Sequence, residues 1–254
     1  MNIIYTIAQN TFRETIRNKV LYNILLFVGI IIVLSVSFGD WSVFARVQVM
    51  NDFGLATMSL SGLLLAVFIG SSLLGKEISG KTIFLTATKP IDRGLIIWGK
   101  FFGVYLTLFL NLIIISAVFG ISLVASGGEI TLMHVKALVL LITELGIILA
   151  FSLLFSVLSS PTLAAIFTIG FYIIGHFNNL AMVENMHENL WLIPLLKVFN
   201  FVIPNLDFFN IRAAVVQENP ITCIYVSAAV IYGFLYIAIA LSLASLAFRK
   251  KDLS

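Results

Sequence analysis

Long apolar runs separated by short polar segments set the pattern of this chain. Uninterrupted apolar stretches extend from Val20 to Phe38, Leu55 to Leu74, Phe101 to Ala125, Lys136 to Leu158, Pro161 to His176 and Ile221 to Phe248. A hydrocarbon core about 30 Å thick takes about 20 helical residues to cross, so the pattern predicts six transmembrane helices and an all-α integral membrane fold. The fifth run is the shortest. Only Ser159 and Ser160 lie between it and the fourth, which predicts a tight helical hairpin, and Pro161 suits a first helical turn, where its missing N–H has no partner to lose. Leu190 to Val202 is also apolar, but Pro194 and Lys197 interrupt it and Pro204 soon follows. The segment 177–219 is therefore expected to form re-entrant or amphipathic pieces on one membrane face.

The positions of the basic residues orient the six spans. Arg13, Arg17 and Lys19, then Lys76, Lys81, Lys89, Arg93 and Lys100, then Arg249, Lys250 and Lys251 fall on one side, eleven of the fifteen Lys and Arg. Arg46, Lys136, Lys197 and Arg212 fall on the other. Basic loops stay in the cytoplasm, so both termini are expected there, with the chain a multi-pass protein of the cytoplasmic membrane. Residues 1–19 carry Ile3, Ile7, Phe12 and Ile16 at helical spacing, with Asn10, Arg13, Glu14 and Arg17 on other faces, which predicts an amphipathic helix on the cytoplasmic membrane surface. The charges before the first run and the lack of a small-residue cleavage site argue against a cleaved signal peptide.

Composition agrees with a lipid environment: 60% of residues are hydrophobic, 11% are charged, and mean hydropathy is +1.09. A soluble domain carries about a quarter charged residues. The single cysteine, Cys223, excludes an internal disulfide and a multi-thiolate metal site. Nothing points to nucleic-acid binding, and no catalytic centre, bound cofactor or metal centre is expected in the chain, although weak candidates for two of these can be named. Met182, Glu184, Met186, His187 and Glu188 contain copper-type ligands, but methionines four apart more often form one packed helix face.

The segment from Gly75 to Lys100, GKEISGKTIFLTATKPIDRGLIIWGK, is the one sizeable cytoplasmic loop. Gly75, Gly80, Lys81 and Thr82 satisfy the phosphate-loop pattern G-x-x-x-x-G-K-[ST]. That loop needs a buried strand before it and an α/β sheet around it, whereas here an apolar helix precedes it and the segment is too short for such a domain. Residues 76–93 are instead expected to form a short helix along the membrane, with Ile78, Ile83, Phe84 and Leu85 inward and Lys76, Glu77 and Lys81 toward the cytoplasm; Pro90 ends it.

Taken in order, the N-terminal helix, two spans and KEISGKTIFLTATKPIDRGLIIWGK resemble the membrane subunit of type-2 ABC exporters. The nearest branch is that serving maturation of multicopper enzymes such as nitrous-oxide reductase. The resemblance rests on Lys76, Glu77, Gly80, Thr82, Ile83, Pro90, Ile91, Gly99 and Lys100, and continues through the hairpin and Ile203, Pro204, Asn205, Leu206 and Asp207. Lys81 departs from it, intervening between Gly80 and Thr82 where many members run Gly-Thr. The resemblance implies that residues 1–254 form one transmembrane domain, that a second permease copy completes a homodimer or heterodimer, and that ATP is bound by separate cytoplasmic ATPase subunits. It further implies that Lys76, Glu77, Gly80, Thr82, Ile83, Pro90 and Arg93 belong to the coupling helix that docks into the ATPase.

Glu144 lies inside the fourth span, about 13 Å from its start at the helical rise. A carboxylate at that depth costs a few kcal/mol unless it is protonated, paired or facing water. We expect it on a translocation path or dimer interface, hydrogen-bonded to Asn111 of the third span, since no basic partner is evident. Two rival functions are legible. One is an ion-coupled carrier or channel with Glu144 as its ion site, although no internal repeat supports it. The other is an intramembrane serine enzyme built on Ser122, in a Gly-x-Ser at Gly120, with His176 as base, although nothing marks an oxyanion site.

Overall fold

The computed structural model describes residues 3–41, 46–79, 93–177 and 203–250. Among the described residues the chain is all helical: α1 (Ile3–Ile16), α2 (Lys19–Trp41), α3 (Arg46–Ser79), α4 (Arg93–Ala125), α5 (Leu132–Leu158), α6 (Pro161–Phe177), a 3-10 turn (Leu206–Phe209), α7 (Arg212–Val216) and α8 (Cys223–Lys250). Four helical segments are long and apolar enough to cross a membrane: Arg46–Leu73, Gly94–Ala125, Leu132–Leu158 and Cys223–Lys250. The chain is thus built as a membrane-embedded, multi-pass protein.

At the centre stands α5. It is apolar all round, and residues 143–150 are all buried, so along its middle every face meets another helix, while Val135 and Val139 nearer its start are exposed. Around it, α3, α4, α6 and α8 pack directly. Outward faces of α4 and α8 carry Phe102, Phe109, Ile113, Ile231, Phe234 and Leu246, all exposed. A continuous apolar exterior of this kind is stable in lipid and a liability in water.

Contacts fix the helix directions. Asn51 meets His134 and Ser156 donates to the Ser71 carbonyl, so α3 and α5 run parallel; Lys136 donates to the Ile221 carbonyl at 2.5 Å, so α5 and α8 do too. Stacked Phe151 and Phe171, with ring centroids 4.1 Å apart, align α5 and α6 as an antiparallel hairpin turning at Ser159–Ser160. One end of the bundle therefore carries Arg46, Thr131, Phe177 and Cys223, and the opposite end carries Ser79, Arg93, Ser159 and Lys250.

Small residues make the helix contacts. A β-carbon on Gly70 of α3 would lie 2.6 Å from Ser152 Oγ on α5. In lipid, where apolar association has little drive, such close approach lets dispersion and Cα–H contacts hold helices together. The same device docks the N-terminal helix. Gly99 and Gly103 of α4 face Ile4 and Ile7, then Ala8, Thr11 and Phe12, so α1 ascends alongside α4 in the same direction. Its buried face is Thr11 and Thr15, with Ile3 exposed. Of the apolar stripe Ile3, Ile7, Phe12 and Ile16 expected to lie on the membrane surface, Ile7 instead packs on Gly99, Phe12 and Ile16 are half-buried, and Ile3 stays exposed.

Two helices extend further than their apolar runs. Well before Leu55, α3 starts at Arg46, and it continues through the backbone of Lys76 and Glu77; α4 starts at Arg93, ahead of Phe101. Gly80, Thr82, Ile83 and Pro90 lie outside the described residues, as do Met182, Glu184, Met186, His187 and Glu188. At the Thr131 end, α5 opens on a capping box in which His134 takes the place usually held by Glu or Gln. The Thr131 N–H donates to His134 Nδ1 at 3.1 Å, so the ring proton sits on Nε2 and donates to Asn51 Oδ1, also at 3.1 Å.

Candidate functional site

Toward the Thr131 end, α3, α5, α6 and the segment 203–212 line a partly open cavity of about 120 Å³. Its floor is Glu144, buried at 3% exposure. The α5–α6 hairpin sets what faces it: Glu144 and His176 are about equally far from the Ser159–Ser160 turn, so antiparallel packing brings them level. His176 Nε2 stands 3.5 Å from Glu144 Oε1, while Nδ1 lies 3.2 Å from the Tyr172 carbonyl one turn earlier. A carbonyl only accepts, so in the neutral ring Nδ1 carries the proton and Nε2 keeps its lone pair toward Glu144. The Tyr172 and His176 rings lie against each other with centroids 4.4 Å apart, and Ser59 of α3 lines the cavity with them.

The roof is the 3-10 turn and the start of α7. Asn205 caps the turn, its Oδ1 accepting the Asp207 N–H at 3.0 Å, which turns Leu206 and Phe209 inward and leaves Asp207 exposed. Leu206 seats on Gly175 of α6, where any β-carbon would come within 2.7 Å of it. Two tyrosines of α8 tether the segment: Tyr225 donates to the Phe208 carbonyl at 2.8 Å, and Tyr232 accepts the Asn205 N–H at 3.1 Å. On the other side Arg212 grips Asp52 of α3 through two parallel bonds, Nε to Oδ1 at 2.5 Å and Nη2 to Oδ2 at 3.0 Å. Both members are nearly half exposed, so the fork fixes geometry more than it adds stability.

Several expectations change here. The hydrogen bond between Glu144 and Asn111 is absent: both amide atoms of Asn111 and Oε1 of Glu144 are buried without a hydrogen-bond partner. The reason is directional. Glu144 lines the side of α5 shared with α3 and α6, whereas the polar group that α4 sends to α5 is Tyr105, whose hydroxyl donates to the Ile142 carbonyl at 3.3 Å. Asn111 sits instead on the buried stripe of α4 formed by Leu108, Leu112 and Ile115. Glu144 also has the imidazole neighbour that its sequence context did not reveal. The serine-enzyme pairing does not form, since Ser122 Oγ donates to its own helix at Val118 and His176 faces Glu144. Lys76 and Glu77 fall on the last turns of α3 and Arg93 on the first of α4, at the end of the bundle away from the cavity.

Chemically, the cavity can bind and orient a small polar ligand. Among the described residues, no three His, Cys, Asp or Glu side chains come together as a metal site. Neither any family model nor any curated protein matches this chain.

Proposed function

We propose that the chain is the membrane-spanning permease subunit of an ATP-driven exporter, working beside a second copy and resting on ATPase subunits that are separate chains. The observation that carries the reading is α3. Its 34 residues extend about 51 Å, against a hydrocarbon core of about 30 Å. One continuous helix therefore joins the Lys76–Glu77 segment at one end of the bundle to Asp52, the anchor of the cavity roof, at the other. A force delivered at Glu77 is transmitted along α3, because a hydrogen-bonded helix packed against α5 and α6 moves as a rod rather than deforming.

In this reading six helices cross the bilayer. The four long apolar segments are joined by α2, whose 23 residues reach about 35 Å, and by α6, whose 17 residues reach about 26 Å and need modest bilayer thinning. Arg93, Arg249 and Lys250 put the Ser159 end in the cytoplasm and the roofed cavity on the outer side. ATP binding closes the partner ATPases, displaces the 76–93 segment, shifts α3 and loosens the roof, and cargo leaves outward. The test is binding and stimulation of the ATPase: Glu77→Ala together with Ile83→Asp is expected to abolish both, and full retention of both contradicts the coupling role.

A second reading, an ion-coupled carrier using Glu144, draws support from the Glu144–His176 pair within a cavity. Uptake driven by an imposed proton or sodium gradient in ATPase-free vesicles would favour it over the exporter.

A further inference from the structure

Glu144 Oε1 and His176 Nε2 face each other at 3.5 Å across the floor of the cavity, and the carboxylate oxygen has no hydrogen-bond donor. With the ring proton held on Nδ1 by the Tyr172 carbonyl, both facing atoms are acceptors. Two facing acceptors, a buried carboxylate and a partly exposed imidazole, call for a donor that reaches both, and a carboxylate out of water calls for a positive one.

The surroundings say which kind. Asp207 on the roof adds its negative charge to the field at Glu144 and His176, while the positive charge of Arg212 is taken up by Asp52. The rest of the lining is mixed: Leu55, Leu141, Phe209 and the ring of Tyr172 are apolar or aromatic, while Ser59 and Asn210 are polar. A divalent metal ion would find too few ligands, because no third His, Cys, Asp or Glu side chain joins the pair among the described residues. An alkylammonium ion fits both halves. Its N–H groups serve the carboxylate and the imidazole, its charge is opposed by Glu144, and its hydrocarbon part meets the leucines and the aromatic faces. The cavity volume of about 120 Å³ suits a compact molecule.

We propose that this roofed cavity is a binding site for a small organic ammonium cation, held by Glu144 and His176 and released when the Arg212–Asp52 fork opens. The site needs no ATPase partner, so its test is independent of the exporter reading. The full chain in lipid nanodiscs is titrated calorimetrically with phenethylamine, with its neutral isostere 2-phenylethanol, and with zinc chloride, empty nanodiscs serving as background. Saturable binding of the amine, with none of the alcohol, is expected on the unaltered protein. Glu144→Gln should weaken the amine by about tenfold to a hundredfold, the loss of a charged hydrogen bond, and Ser122→Ala, remote on α4, should not. Because the charge contrast is read on the unaltered protein, a poorly folding variant leaves the test intact. Equal binding of alcohol and amine, amine binding unchanged in a folded Glu144→Gln protein, binding of zinc alone, or no saturable binding each overturns the proposal.

Discussion

Replacing Gly103 with valine should release the N-terminal helix from the bundle. A β-carbon at this position lies 2.6 Å from the Ala8 carbonyl oxygen, 2.7 Å from Thr11 Cβ and 3.1 Å from the Phe12 nitrogen, where ordinary contact begins at 3.4 Å. Two of those atoms belong to the α1 backbone and cannot swing aside, so α1 must withdraw by several tenths of an ångström along its whole contact with α4. Overpacking of this kind costs about 1–3 kcal/mol. Valine is the better helix former by a few tenths of a kcal/mol, too little to compensate. With a net loss of about 2 kcal/mol, the undocked population of α1 rises about thirtyfold, and hydrogen exchange of its amides should accelerate by that factor. The assay is exchange mass spectrometry on nanodisc-embedded protein, comparing peptides from 3–16 with peptides from α5. Gly170→Ala is the control, because a β-carbon there meets nothing within 4 Å. Unchanged α1 exchange in Gly103→Val, or an equal acceleration in Gly170→Ala, would refute the glycine-docking argument.

Other consequences follow from the ion pair and from the buried polar groups. Asp52→Arg should leave global stability within about 1 kcal/mol, since the fork is half exposed, yet speed exchange of amides 206–216; adding Arg212→Asp should restore protection, and failure to restore it would sever the roof from the fork. Asn51→Ala leaves His134 Nε2–H without its acceptor and should cost about 1–3 kcal/mol, read as a lower thermal midpoint; an unchanged midpoint would show that the Asn51 bond contributes nothing. Asn111→Leu replaces an unpartnered buried amide with a similar apolar volume and should raise the midpoint or leave it unchanged; a clear fall would mean that the amide has a partner in the membrane.

The middle of each long helix was legible in the sequence because lipid imposes a length and a polarity that no tertiary contact overrides. The ends were not, since polar residues there are kept helical by distant partners. Asn51 and Asp52 extend α3 beyond its apolar run because His134 and Arg212 receive them. Lys100 interrupts the hydropathy of α4, but α1 packs across Gly99 and Gly103 and the helix continues through it. Periodicity announced α1 as a helix, but its docking was not legible: Ile7 and Thr11 seat on Gly99 and Gly103 of α4, and the most buried positions are Thr11 and Thr15, which a count of large apolar residues passes over. Glu144 stood out by depth alone. Its neighbour was within reach of the same reasoning, because a hairpin turning at Ser159–Ser160 pairs residues equally distant from the turn, and His176 occupies that position. The roof was beyond sequence reasoning, since it depends on Leu206 finding Gly175 and on Tyr225 and Tyr232 holding a turn that has little regular structure.

The most direct test of the account is to extract the chain gently from its native membrane and identify what accompanies it by mass spectrometry, with and without nucleotide. A soluble ATPase in fixed stoichiometry, lost on Glu77→Ala with Ile83→Asp, is the predicted result. A chain that emerges without any ATPase under several detergents and in the presence of nucleotide would contradict the exporter reading.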